Sequence, residues 1–256
     1  MKRDRIWRIC AIVSMLGFLV WLLFSPRLSE DPLVHRLAEG TVYRAFGSAV
    51  FLFALLYLGY RVWGRGGKGS WRVFFPALVI AVNNLPIIAL ISGEARVTNA
   101  KLLWLFALEC LFIGVFEELA FRGVLLPMLL QRRRSSTREI FWVTAVSSAA
   151  FGLIHLINLA EGAGFGATVL QVGYSFLIGG MCAIVLLKTG SLPLCILLHA
   201  VYDFCGGLVT TLGVGRLWDT PTVILTAVLS VLVTVYMVWT LLHIKPEETD
   251  RLYKIK

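Results

Sequence analysis

Long apolar runs constrain this chain more than any other feature. A helix that crosses a membrane needs about 20 mostly apolar residues, and eight such stretches lie along the sequence, at about 7–24, 42–63, 73–92, 102–130, 140–159, 167–188, 191–213 and 220–243. Inside a bilayer every backbone N–H and C=O must be satisfied within the protein, which leaves helices as the solution for runs of this length. The expected fold is therefore all-α: a polytopic integral membrane helical bundle of about eight transmembrane helices. Composition agrees, with 58% hydrophobic and only 15% charged residues and a mean hydropathy of +0.82. A soluble domain carries roughly 45–50% and about 25%. A soluble globular enzyme, a disordered chain and a disulfide scaffold are excluded.

The net charge of +9 is distributed as in a membrane protein. With the N-terminus inside, seventeen Lys and Arg fall in or beside inner segments and six in outer ones, with Arg122 inside a span. The bias places both termini in the cytoplasm, as an even number of spans requires. Arg132-Arg133-Arg134 reads as the cytoplasmic stop of the fourth span rather than a nucleic-acid patch, so no nucleic-acid partner is expected. The first run follows Met1-Lys2-Arg3-Asp4-Arg5, but Ser25-Pro26-Arg27 comes next without a small-x-small cleavage site, so it reads as an uncleaved anchor. Residues 65–70 read as a flexible cytoplasmic turn. The five cysteines lie in apolar runs without a CxxC pair, which indicates neither a disulfide framework nor a thiolate zinc site.

Against this background, the charges within the spans stand out. Glu109, Glu117, Glu118, Asp203 and Arg122 are formally charged, and His155 and His199 join them. Each charge at mid-bilayer costs about 2.5–3.5 kcal/mol, so the five left unpaired would cost on the order of 15 kcal/mol. Such groups mark an internal polar site. Glu118 and Arg122 are four apart and share a helix face. Glu117 is rotated about 100° from Glu118 and is free to point at other helices. His199 and Asp203 are again four apart and project together. Phe151 stands one turn before His155 and is placed to wall or position its ring. At about 1.5 Å per residue, Glu117 lies about 22 Å from Arg132, His155 about 24 Å from Glu139, and His199 and Asp203 about 12 and 18 Å from Ser191. These depths meet near the middle of the bilayer.

Plainer roles exist for each residue alone: a stabilising pair for Glu118 and Arg122, core histidines for His155 and His199, a buried neutral acid for Glu117. Taken together on three spans at one depth, packing explains them poorly. Glu109, about 80° around the helix from Glu117, has no evident partner and reads as a neutral or cavity-facing acid. Gly179-Gly180 permits close helix approach. Asn83-Asn84-Leu85-Pro86 breaks the third span, either lining a cavity or forming a kink satisfied by neighbouring helices. Ser191 and Pro193 suit an N-terminal cap and an early-turn proline.

Three patches carry a family resemblance: Glu-Glu-x-x-x-Arg at 117–122, Phe-x-x-x-His at 151–155 and His-x-x-x-Asp at 199–203. In this order, each in its own span, with the tri-Arg stop after the first, they resemble the intramembrane CAAX-protease and bacteriocin-processing family, glutamic-type endopeptidases related to the eukaryotic CAAX prenyl endoprotease. The resemblance covers about residues 100–206. It implies that Glu117 and His155 activate water, that His199 and Asp203 stabilise the oxyanion, and that Glu118 and Arg122 support the first motif. Relatives acting on prenylated tails usually carry Asn where Asp203 stands, and bacterial relatives can carry Asp. An ionised Asp would repel an oxyanion, so Asp203 is protonated, or orients His199, or binds something else. The chemistry implied is peptide hydrolysis by a glutamate/histidine-activated water, with a membrane-associated protein or peptide as substrate and the lipid bilayer as surroundings. No cofactor is needed on that route, which is preferred because the implied roles divide between water activation and oxyanion binding. Glu117, His155, His199 and Asp203 also form a conceivable zinc or manganese ligand set.

The expected organisation is 1–100 as helices without a recognised motif, 101–213 as the catalytic core, and 214–256 as a last helix with a basic cytoplasmic tail. The location implied is multi-pass in a membrane, the plasma membrane if the source is bacterial. Two other classes stay open on sequence: a non-catalytic binding or immunity protein, and a transporter whose Glu, His and Asp form a proton relay. The lack of a visible repeat argues against the transporter.

Overall fold

The computed structural model describes residues 2–24, 26–66, 69–215 and 220–253. Met1, Ser25, Gly67 and Lys68 of the expected turn, and Arg216, Lys254 and Lys256 of the charge tally lie outside the described residues. The protein is a helical membrane bundle. Its helices are α1 (Lys2–Phe24), α2 (Pro32–Leu58), α3 (Ser70–Asn83), α4 (Ile87–Ser92), α5 (Leu103–Glu118), α6 (Leu126–Arg132), α7 (Thr137–Leu153), α8 (Ile157–Ala160), α9 (Phe165–Thr189), α10 (Leu192–Leu212), α11 (Thr220–Leu242) and α12 (Pro246–Asp250). A π-helical segment, Leu119–Leu125, joins α5 to α6, and a 3₁₀ turn, Ile154–Leu156, joins α7 to α8.

Among the described residues six segments are long and apolar enough to cross a membrane: 5–24, 32–58, 137–160, 165–189, 192–212 and 220–242. The third and fourth expected spans differ. The third is the 14-residue α3, a break, and the short α4. The fourth is the continuous helical stretch from α5 through α6, interrupted by the charges of the site. Asn83 Nδ2 donates to Thr226 Oγ1 of α11 at 2.8 Å and Asn84 Nδ2 to the Tyr202 carbonyl of α10 at 3.3 Å. The Asn-Asn-Leu-Pro break is thus a kink satisfied by neighbouring helices.

The second span begins well before residue 42. Asp31 caps α2 by accepting from the Leu33 and Val34 amides, and Pro32 fits the first turn. His35, Arg36, Glu39 and Arg44 interrupt the apolar run but not the helix. Ser191, by contrast, makes no side-chain capping bond, although Pro193 does sit in the first turn of α10.

One end of the bundle gathers most of the basic segments. The Arg61 amide donates to the Leu252 carbonyl, Gly64 to Gly190, and Leu192 to Val62. Thr137 Oγ1 donates to the Ile244 carbonyl, and Arg134 meets Asp250 at 3.3 Å. At the opposite end lies a two-stranded antiparallel ribbon, β1 (Ala95–Val97) with β2 (Gly213–Gly215), pairing Arg96 with Val214. Neither strand has enough residues to show an alternating pattern. The largest buried cluster runs from the end of α2 to the residues after α12, with Leu55, Phe74, Leu126, Phe151, Leu187, Leu198, Met237 and Leu252 among its members. Cys110, Cys182, Cys195 and Cys205 are buried and all five cysteines are free.

Candidate active site

Close approach of α5 to α10 builds the site. A Cβ on Gly114 would lie 2.9 Å from the Ile196 carbonyl oxygen, so glycine lets the two backbones touch. One turn further along α5 come Glu117 and Glu118, and opposite them on α10 comes His199. The helix then opens into the π segment, in which the Leu126 amide reaches back five residues to the Phe121 carbonyl. Such segments are frequent at functional sites, and this one carries Arg122.

Glu118 is fully buried and Arg122 nearly so, at 1% exposure. Their side chains make an ion contact at 2.9 Å. Glu118 Oε1 also accepts a 2.8 Å hydrogen bond from His199 Nδ1. A carboxylate oxygen accepts, so Nδ1 carries the proton and Nε2 is the edge presented outward. That edge faces Glu117 Oε2 at 3.6 Å and Asp203 Oδ2 at 3.5 Å. Both separations exceed a hydrogen bond and suit a bridging water or substrate oxygen. Asp203 Oδ2 is buried without a hydrogen-bond partner. The Glu117 and Asp203 side chains are the open members, at 22% and 25% exposure, against 5% for His199.

Phe151 is the hub beneath these groups. Its ring lies 4.3 Å under the Arg122 guanidinium and edge-on to both His155 (5.5 Å) and His199 (5.6 Å). A Cβ on Gly179 would lie 2.9 Å from both Arg122 Nη2 and Phe151 Cδ1, whereas one on Gly180 would meet only Ser148 Oγ at 3.7 Å. Close helix approach is therefore built on Gly179, which makes room for the guanidinium and the ring.

His155 occupies the 3₁₀ turn after α7, and its Nδ1 donates to the Phe151 carbonyl at 3.0 Å. Like His199 it offers Nε2 as its remaining edge. Among the described residues no hydrogen bond or ion pair joins His155 to Glu117. The structure thus brings Glu117, Glu118, Arg122, His199 and Asp203 into one network and connects His155 to it through Phe151. Among the described residues no three His, Cys, Asp or Glu side chains form a group able to hold a metal ion.

Glu109 does have a partner: Arg44 of α2, with Nη1 and Oε1 at 3.6 Å. Placing Arg44 in an outer flank hid it from the sequence reading. Its signal is the i, i+4, i+8 spacing of Arg36, Gly40 and Arg44 on one helix face.

Residues 99–205 match the profile of the family described as "Rce1-like: Type II CAAX prenyl endopeptidase Rce1-like". The match takes in all three motif patches. Comparison with curated proteins and with solved structures found no match.

Proposed function

We propose that this chain, whose residues 99–205 match the Rce1-like CAAX endopeptidase profile, hydrolyses a peptide bond of a membrane-associated protein or peptide with water activated by Glu117. The observation that carries this reading is the orientation of His199: Glu118 holds Nδ1, Arg122 holds Glu118, and Nε2 faces the two accessible carboxylates. An imidazole fixed through one nitrogen works through the other, as in other carboxylate-oriented histidines.

Glu117 accepts a proton from water as the water oxygen bonds to the substrate carbonyl carbon. The tetrahedral oxyanion accepts a hydrogen bond from Nε2–H of protonated His199. The C–N bond then breaks, and Glu117 returns the proton taken from water to the leaving nitrogen, with His155 Nε2 sharing the water from its own side. Asp203 serves the oxyanion only while it carries a proton; ionised, it steers the His199 ring. Arg122, Glu118 and Phe151 position these groups without touching substrate. The basic end of the bundle faces the cytoplasm in this reading, with both termini there.

The test is hydrolysis of membrane peptides by the purified chain in nanodiscs. Glu117→Gln is expected to lower turnover by about 10²- to 10⁴-fold, the range for a general base, with unfolding unchanged. Unaltered turnover in Glu117→Gln would remove Glu117 from the mechanism.

A further inference from the structure

At the basic end of the bundle, away from the Glu117–His199 site, lies a cavity of about 410 Å³. Tyr60, Arg61 and Trp63 form one wall, Thr189 a second and Arg251 a third. Its volume falls in the range of ligand pockets, about 300–1,000 Å³. No acid stands among the described residues that line it.

The walls are fixed by bonds within the protein. The stretch after α2 is held on one side by the Arg61 amide, which donates to the Leu252 carbonyl at 2.8 Å, and on the other by the Gly64 amide, which donates to the Gly190 carbonyl at 2.8 Å. Gly190 has a left-handed φ of 66°. A Cβ there would lie 3.2 Å from Arg251 Cδ, so glycine lets the arginine stem lie across the turn between α9 and α10. Arg251 Nε donates to the Glu248 carbonyl at 2.6 Å and Nη1 to the Lys188 carbonyl at 2.8 Å. These bonds hold the guanidinium and leave part of its five N–H donors unused. The Glu248 carboxylate, 3.7 Å from Nη2, is itself taken by Lys188 Nζ at 3.0 and 3.1 Å.

Two other polar groups of the walls are satisfied: Tyr60 Oη donates to Gln131 Oε1 and Thr189 Oγ1 to the Val185 carbonyl. Arg61 differs. Its side chain is exposed and has no acceptor among the described residues. Two guanidiniums with unused donors therefore line one cavity, an arrangement that suits an anion. Trp63, 47% exposed, follows the end of a membrane helix. An indole there sits at headgroup level, so the cavity opens where phospholipid phosphates lie.

We propose that the Arg61–Arg251 cavity binds the phosphate of an anionic phospholipid in the leaflet at this end of the bundle. A guanidinium fork matches phosphate oxygens in paired hydrogen bonds, and basic pockets at membrane level hold such headgroups. Trp63 offers an apolar face to the glycerol and the first acyl carbons. The bound phosphate ties together the stretch after α2, the α9–α10 turn and α12, and so braces the end of α10 from which His199 and Asp203 project. The proposal does not depend on the proteolytic reading.

The test uses the full chain in uncharged detergent with equimolar phosphatidylglycerol and phosphatidylcholine of the same acyl chains, and native mass spectrometry reads the retained lipid. Phosphatidylglycerol is expected to be retained about ten- to a hundred-fold over phosphatidylcholine, the range for hydrogen bonds to a charged group. Arg61→Gln lowers that ratio about tenfold and leaves unfolding in lipid-free detergent unchanged, because Arg61 has no partner to lose. Arg61→Lys keeps part of the preference. Arg65→Gln, which removes an exposed charge from the same stretch but outside the cavity wall, keeps it all. A ratio near one in the wild type, a ratio unchanged in Arg61→Gln, or equal losses in Arg61→Gln and Arg65→Gln would each overturn the proposal. Inorganic phosphate at millimolar concentration separates a headgroup from a free anion. Protection against thermal unfolding by phosphatidylglycerol but not by phosphate, lost in Arg61→Gln, supports the lipid site. Equal protection by phosphate alone would assign the cavity to a soluble phosphate and overturn it.

Discussion

Replacing Glu118 by Gln tests the buried network at its centre. The change keeps the shape but removes the charge that faces Arg122 at 2.9 Å and holds His199 Nδ1 at 2.8 Å. Arg122 is then left at 1% exposure with the Phe151 and Phe121 rings as its remaining charge support, contacts worth about 0.5–2 kcal/mol each. Breaking one partner of a buried pair costs about 3–5 kcal/mol, whereas replacing both with neutral groups is often close to neutral. Glu118→Gln is therefore expected to destabilise by about 3 kcal/mol, and Glu118→Gln/Arg122→Met by less than the sum of the two single changes, with a coupling of about 2 kcal/mol. Both variants lower hydrolysis, because His199 loses its charged anchor in each. Equilibrium unfolding in mixed detergent micelles reads the cycle. A cost below about 1 kcal/mol, the value of an exposed pair, or strict additivity would refute the reasoning.

Other consequences follow from particular contacts. Gly179→Ala is expected to destabilise by about 1–3 kcal/mol, as overpacking does, and to lower hydrolysis, while Gly180→Ala leaves unfolding nearly unchanged; thermal unfolding of the two separates them. At the basic end, burial pushes the Glu248 carboxyl up, but the Lys245 amide and the Lys188 ammonium outweigh it and hold it below the usual carboxylate range. Its contribution to docking α12 is thus present above the unfolded carboxylate value of about 4.3 and is lost as pH falls through the lower folded value. A spin label at Glu247 should gain mobility at that acidity in the wild type and be mobile already at pH 7 in Glu248→Gln; a label equally rigid in both would contradict this. Reporter fusions should place residue 253 on the cytoplasmic side and an insertion at Gly162 on the opposite side, and both on one side would overturn the orientation.

What the sequence made legible was local. Glu118 with Arg122 and His199 with Asp203 are each four residues apart, and a helix places such pairs together whatever surrounds them. The joining of the two pairs through His199 Nδ1 and Glu118 depends on the α5–α10 crossing at Gly114, which no spacing along either helix reveals. The pairing of Glu117 with His155 came from the family resemblance, and in the structure the Phe151 ring is edge-on to both His155 and His199. The eight apolar runs marked the helices, but their edges followed hydropathy alone, so α2 lost its first turns and Arg44 was assigned to a flank. The π segment and the β1–β2 ribbon left no periodic mark. The first carries the buried Arg122, and the second pairs two internal segments distant in sequence.

The most direct test of the central claim is a comparison of protein termini in membranes from cells expressing the wild type and Glu117→Gln at matched levels. The account predicts new termini present only with the wild type, each a cut in a membrane-associated protein or peptide. Identical termini in the two membranes, with the substrate shown to be expressed, would contradict it.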